Sequence, residues 1–226
     1  MKPRYALYVA PAPDSPLWRF GSGLIGYDAA PGENLPFPEG LPSDWAALTE
    51  EPRRYGFHAT LKAPFHLAEG RSEAELVEAA AALAAKQAGF DLPALTIALL
   101  GSFVALIPAA PSAALLDLAA ACVRDLDPFR APMSEADRAR RLAAKLSERQ
   151  AVHLERWGYP HVFEDFRFHM TLTGSLPEER REPIRATLAA AYARLAPGLR
   201  VDAVSVFRQD DRAGRFRVLA RLPFGG

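Results

Sequence analysis

The sequence predicts an α+β protein built as two pseudosymmetric lobes of antiparallel sheet, with helices on the outer faces and a central groove. Three observations predict it. The order strand, helix, hairpin runs twice along the chain, over about 55–107 and again over about 163–222. The strand that opens each run carries the same pattern, His58-Ala59-Thr60-Leu61 and His169-Met170-Thr171-Leu172. The 226 residues, 50% hydrophobic and 24% charged, suffice for an ordinary core in a single bilobal domain over 1–226.

Tyr5 to Ala10 has the length and aromatic content of a strand, and Pro11 and Pro13 close it. From Ser15 to Pro42 the chain reads as loop with at most one helical turn, because Pro31, Pro36, Pro38 and Pro42 deny a helix its backbone donors. Inside this stretch Gly21-Ser22-Gly23-Leu24-Ile25-Gly26 matches G-x-G-x-x-G. It does not directly follow a strand, so a flexible loop is the simpler reading than a dinucleotide site. Tyr55 to Phe65 is a second strand. A helix starts at Ser72, where Ser-Glu-Ala-Glu forms a capping box, and Leu76, Val77, Ala80, Leu83 and Ala84 recur at helical spacing to about Ala88. Strands over about 94–100 and 102–107 pair around Gly101.

A helical connection over about 112–157 joins the halves: one helix from Ser112 to Asp125, a second from Ser134 to Trp157 with Leu142, Leu146 and Leu154 on one side. Phe163 to Thr173 is the next strand. Pro177 sits in the first turn of a helix marked by Ile184, Leu188, Ala191 and Leu195, which Pro197-Gly198 stops. Val201 to Arg208 and Arg215 to Leu222 form the last hairpin, around Asp210, Asp211 and Gly214.

Charge and composition exclude several function classes. The 27 basic side chains balance the 27 acidic ones, so nothing pulls the whole molecule toward nucleic acid or anionic lipid. The single cysteine, Cys122, permits no intrachain disulfide or thiolate metal cluster and suits a cytoplasmic location; inside an Ala/Leu run it reads as a small buried hydrophobe. The apolar run after Met1 is too short for a signal peptide, and no run approaches the roughly 18 apolar residues of a membrane span. Neither a G-x-S-x-G elbow nor a P-loop occurs. His153, His161 and His169 fall eight apart, but Gly158 and Pro160 break the period, so no metal site is expected.

The chemistry rests on the duplicated motif. With five histidines and six threonines in the chain, a threonine two places after a given histidine is roughly a 3% coincidence. Two such pairs, each followed by leucine, are on the order of a 1 in 10,000 coincidence. In a strand, side chains two apart share a face. His58 and Thr60 therefore face one way, with Lys62 by the same parity, while Phe57, Ala59 and Leu61 face the core. In the second copy Arg167, His169, Thr171 and Thr173 share a face. Tyr55 falls on the apolar side by strict alternation, as a core or rim aromatic, unless a bulge before Gly56 turns it to the groove and a substrate. Two such polar faces converging on a groove make a phosphate site. One imidazole takes a proton from the attacking oxygen and the other protonates the leaving oxygen. Thr60 and Thr171 donate to non-bridging oxygens, and Lys62, Arg167 and Thr173 are candidates for further phosphate contacts. No cofactor is required.

At these residues the sequence resembles the two-histidine (2H) phosphoesterase superfamily, which includes RNA 2′,3′-cyclic phosphodiesterases and LigT-like "2′-5′ RNA ligase" proteins. The runs Arg53 to Phe65, Trp157-Gly158-Tyr159-Pro160 and Phe166 to Gly174 are similar to its phosphonate-metabolism branch, as are Tyr5-Ala6-Leu7-Tyr8 and Gly26-x-Asp28. That branch is encoded with carbon–phosphorus lyase genes and long carried only a domain-of-unknown-function label. The resemblance covers essentially the whole chain. It implies a metal-independent phosphodiesterase acting on a cyclic phosphodiester of a small phosphorylated metabolite, with His58 and His169 as the acid and base. An RNA-end phosphodiesterase is the alternative within enzymes, disfavoured by the neutral charge. A non-catalytic nucleotide- or RNA-binding module is the alternative outside them. The arginines at 138, 140, 141, 149 and 156 read either as a solvated helix face or as a lid over an anionic substrate.

Overall fold

The aromatic strand at the start of the chain, β1 (Arg4–Val9), is buried along almost its whole length, as its apolar sequence requires. The computed structural model describes residues 2–143, 145–195 and 198–226. After β1 the structure departs from the expected loop: a ten-residue helix, α1 (Pro16–Ile25), follows. The Ser15 side chain accepts from the Trp18 amide, Pro16 occupies the first turn, and Gly26, at φ +72°, caps the other end. The prolines that argue against a helix all lie beyond Gly26. The glycine motif therefore sits within and at the end of a helix, and Gly21 lies so close to Phe57 that a Cβ would approach its ring to 2.3 Å.

Two short strands, β2 (Tyr27–Asp28) and β3 (Glu33–Asn34), and two single-turn helices, α2 (Trp45–Leu48) and α3 (Glu50–Arg53), lead to the first motif strand, β4 (Ala59–His66). Ser72 and Glu75 form the expected capping box of α4 (Glu73–Ala84). Beyond β5 (Phe90–Asp91), the hairpin β6 (Leu95–Leu100) and β7 (Phe103–Pro108) turns at Gly101, and α5 (Ala113–Asp125) follows. The long connecting helix is in fact two, α6 (Glu135–Leu142) and α7 (Glu148–Trp157), because Ser147 and Gln150 form a capping box that opens a new helix. The expected strand 163–173 is reduced to β8 (Met170–Thr171), preceded by a 3-10 turn at Phe163–Asp165. Then come α8 (Glu178–Ala193), β9 (Arg200–Val201) and the hairpin β10 (Ala203–Gln209) and β11 (Arg217–Pro223). Of the Pro197-Gly198 stop, Pro197 lies outside the described residues, as do Met1, Ala144 and Ala196.

The protein is a mixed helix and antiparallel-sheet structure. Seven strands form one sheet in the order β11-β10-β1-β4-β8-β7-β6, antiparallel at every pairing, and β4 with β8 joins the halves. The repeats are interlocked. The hairpin that follows β4 and α4 pairs with β8, while the hairpin that follows β8 and α8 reaches β4 through β1. Likewise α4 packs on β10 and β11, and α8 on β6 and β7. Each repeat's helix covers the other repeat's hairpin. Among the described residues no helix is long and apolar enough to cross a membrane.

Candidate active site

The two motifs meet at the centre of the sheet, where Ala59 of β4 pairs with Met170 of β8. Carried one residue either way, this antiparallel register sets His58 across from Thr171 and Thr60 across from His169. Directly opposed residues have Cβ atoms about 4.5–5.5 Å apart. Phe57, Ala59, Leu61, Phe168, Met170 and Leu172 are buried, so the alternation sends the histidines and threonines to the other face. His58, Thr60, His169 and Thr171 all line one groove of about 470 Å³.

Both imidazoles are held in the same way. His58 Nδ1 donates to the Gly56 carbonyl at 2.9 Å, and His169 Nδ1 donates to the Arg167 carbonyl at 2.8 Å. A carbonyl only accepts, so each Nδ1 carries the proton and each Nε2 is left for chemistry. The Thr60 hydroxyl donates to His58 Nε2 at 3.1 Å. Gly56 reaches its position at φ +79°, where a Cβ would also meet that of Ala29 at 2.7 Å. The His58 ring stacks on Tyr8 with centroids 3.7 Å apart. Burial pushes its pKa down to about 4, with His169 adding to the shift and the Gly56 hydrogen bond opposing it. His58 is thus neutral at pH 7.

The structure corrects three of the expected contacts. Lys62 does not face the groove: it is 3% exposed, and its Nζ donates to the Val123 carbonyl at 3.0 Å and to Asp127 at 3.1 Å. The β1–β4 register slips on both sides of the Leu7–Lys62 pair, and these bulges cancel the parity that put Lys62 beside Thr60. Arg167 is exposed and absent from the groove lining; its contribution is its carbonyl, and the backbone before β8 is not in the ladder that the parity assumed. Thr173 borders the groove but is fully buried, its hydroxyl accepting from the Val104 amide and donating to the Gly174 carbonyl. Tyr55 does line the groove, 6.2 Å from His58 between ring centroids and stacked on Phe216, because regular strand begins only at Ala59.

Sequence reasoning missed Tyr8, Arg4 and Tyr159 in the groove wall, which Arg140 and Arg141 also line. Tyr8 is fully buried with its hydroxyl unpartnered, and burial raises its pKa well above the usual value. Its place in an apolar strand signalled core alone. Arg140 and Arg141 belong to the arginine-rich helix for which a place over an anion was one of two readings. His153 lies near Glu164, at 3.5 Å, and His161 packs edge-on against Tyr159, so the histidines at eight-residue spacing serve different surroundings. Among the described residues no group of three or more His, Cys, Asp or Glu is arranged to hold a metal ion. Cys122 is buried, as its apolar neighbours require.

A family model described as "Protein of unknown function (DUF1045)" matches residues 60–217, well over half of the chain. The chain belongs to the DUF1045 family. Among curated proteins, this DUF1045 chain is 39% identical over 234 residues to "Ribose 1,5-bisphosphate phosphokinase PhnN" of Janthinobacterium sp. (strain Marseille), a match covering 99% of the chain and 51% of that protein. A protein of the same name from Laribacter hongkongensis (strain HLHK9) is 40% identical over 225 residues, covering 97% and 51%. The chain spans about half the length of these curated relatives. Solved structures similar to it include E. coli LigT complexed with 3′-AMP, at 17% identity and TM-score 0.45 over 100% of both chains. Another, described as a phosphoesterase, has 15% identity and TM-score 0.44 over 99% of both.

Proposed function

We propose that this DUF1045 protein is a 2H-type phosphoesterase that opens a cyclic phosphodiester of a small sugar phosphate without a metal. The observation that supports it most is the Ala59–Met170 register, which turns two His-x-Thr motifs onto one groove with each Nδ1 held on a backbone carbonyl. In the reaction, His58 Nε2 takes a proton from water as the water oxygen bonds to phosphorus. The bond from phosphorus to one ring oxygen breaks, and that oxygen takes a proton from Nε2 of His169, which enters the step as the imidazolium with its Nδ1 proton still held on the Arg167 carbonyl. The products are a phosphate monoester and a free hydroxyl. Thr60 turns its hydroxyl proton from His58 Nε2 to a non-bridging oxygen when substrate binds, which frees the Nε2 lone pair, and Thr171 donates to a non-bridging oxygen as charge develops there. His58 is assigned the base because burial keeps it neutral and its Nε2 carries the lone pair.

The name of the curated relatives points to ribose phosphates. This chain has no P-loop lysine motif, so we assign it not the phosphokinase reaction but a step beside it, hydrolysis of a ribose cyclic phosphate in phosphonate catabolism. The test is a panel of ribose 1,2-cyclic phosphates, 2′,3′-cyclic nucleotides and 2′-5′-linked RNA, assayed with EDTA present. The expected result is turnover of a ribose cyclic phosphate that falls by about 10²–10⁴ in both His58→Ala and His169→Ala. Full activity in either variant, or strict dependence on added metal, contradicts the reading.

A further inference from the structure

Beside the groove lies a second chamber of about 400 Å³, within the range of small-molecule sites. The two share Arg4, Pro64, Arg140 and Arg141 as a common wall. The chamber is lined by six cationic side chains, Lys2, Arg4, Arg130, Arg140, Arg141 and Arg212, against one carboxylate, Asp137. Asp137 neutralises Arg140, at 2.8 Å, and Arg212, while Arg130 pairs with Asp127. Arg4 and Arg141, on the shared wall, have no carboxylate partner among the described residues. Arg4 donates to the neutral amide oxygen of Gln209, and Arg141 lies over the Tyr159 ring at 5.4 Å with its Nε buried and unpartnered. Burial works against the charge of both guanidinium groups, lowering their pKa values. Much of the remaining arginine surface is neutralised instead, as with Arg138 on Glu155, Arg149 on Asp165, Arg180 on Asp44 and Arg200 on Asp91.

Desolvated cations without counterions hold a place for a ligand's charge. A cyclic phosphodiester carries a single negative charge, which the hydroxyls and imidazoles of the two motifs suffice to meet, leaving the arginines of the shared wall over. A phosphate monoester carries close to two near neutral pH, with three acceptor oxygens suited to planar guanidinium donors. We infer that the chamber is a second anion subsite, which seats a terminal phosphate monoester of the same substrate whose cyclic phosphodiester lies between His58 and His169. This rests on the proposed phosphodiesterase reading for the word substrate, and names its class: a small sugar carrying both a cyclic phosphate and a phosphate monoester. Cations gathered in one pocket suit a single terminal phosphate better than the repeating charge of an RNA strand.

The test compares ribose 1,2-cyclic phosphate with and without a phosphate on C5. In the wild-type protein the C5 phosphate is expected to raise kcat/KM about 10-fold or more, and Arg141→Met to reduce that advantage by about 10-fold. An equal kcat/KM for the two compounds, an advantage that Arg141→Met leaves intact, or a preference for RNA ending in a 2′,3′-cyclic phosphate overturns the inference. Calorimetric titration with ribose 5-phosphate, which has no phosphodiester, separates the subsite from the chemistry. Saturable binding weakened about 10-fold or more in Arg141→Met supports the subsite even where no cyclic phosphate is hydrolysed. No saturable binding to the wild-type protein overturns it even where unphosphorylated cyclic phosphates turn over.

Discussion

His58 owes its chemistry to a glycine two residues earlier. The left-handed backbone at Gly56 presents the carbonyl that fixes the proton on Nδ1, and burial against Tyr8 keeps the ring neutral. A base must be deprotonated to act, so kcat/KM should rise with pH through the His58 value of about 4 and be level on that side by pH 5–6. An acid limb near the ordinary histidine value of about 6.5 contradicts the assignment of His58 as base. Gly56→Ala places a Cβ in left-handed backbone and against Ala29. It should cost about 1–2 kcal/mol of stability and reduce kcat more than it raises KM, measured by chemical denaturation and steady-state kinetics. Lys62 makes the opposite case. Removing it leaves a partly buried Asp127 with Arg130 alone, so Lys62→Met should lower stability by about 1.5–3 kcal/mol while kcat/KM of the folded protein stays within about twofold. A selective loss of activity at unchanged stability would return Lys62 to the substrate.

At the scale of elements, the decisive features are the ones that break a simple period. The bulges in β4 separate Thr60 from Lys62, and the packing of α1 at Gly21 brings helix backbone against Phe57, the residue before His58. Gly21→Ala should therefore push Phe57 and cost about 1–3 kcal/mol, seen as a lowered denaturation midpoint. No loss of stability would mean that α1 does not press on the motif strand. These features explain what could be read in advance. The capping box at Ser72 and the turn at Gly101 are local chemistry, and the structure keeps both. The Ser15 and Gly26 caps of α1 are equally local, but the four prolines from Pro31 to Pro42 mask them in a composition-based view of the stretch. Ser147 is inconspicuous in the sequence because helix formers surround it, although it and Gln150 form the capping box that opens α7. A bulge is set by the partner strand, so nothing near Lys62 in the sequence announces it.

At the scale of the molecule, the duplication is legible because two His-x-Thr-Leu tetrads require no tertiary knowledge, whereas the exchange of hairpins between repeats does. The sheet runs through both copies, and each copy's helix covers the other's hairpin. Neither half has its own covered sheet. The full chain should unfold in one cooperative transition by calorimetry and circular dichroism, and fragments 1–110 and 111–226 should each lack cooperative unfolding when expressed alone. A fragment that unfolds cooperatively by itself contradicts the interlocked description. The same interlock sets the active groove, since β4 and β8 come from different copies and meet at one pair, Ala59 and Met170. The claim that depends on it is that one phosphorus is shared by two imidazoles. A crystal structure of the protein saturated with its phosphate product tests this most directly. The account predicts a single phosphate with oxygens within hydrogen-bond reach of both Nε2 atoms and both threonine hydroxyls. A phosphate bound at one imidazole while the other ring faces away from it contradicts the account.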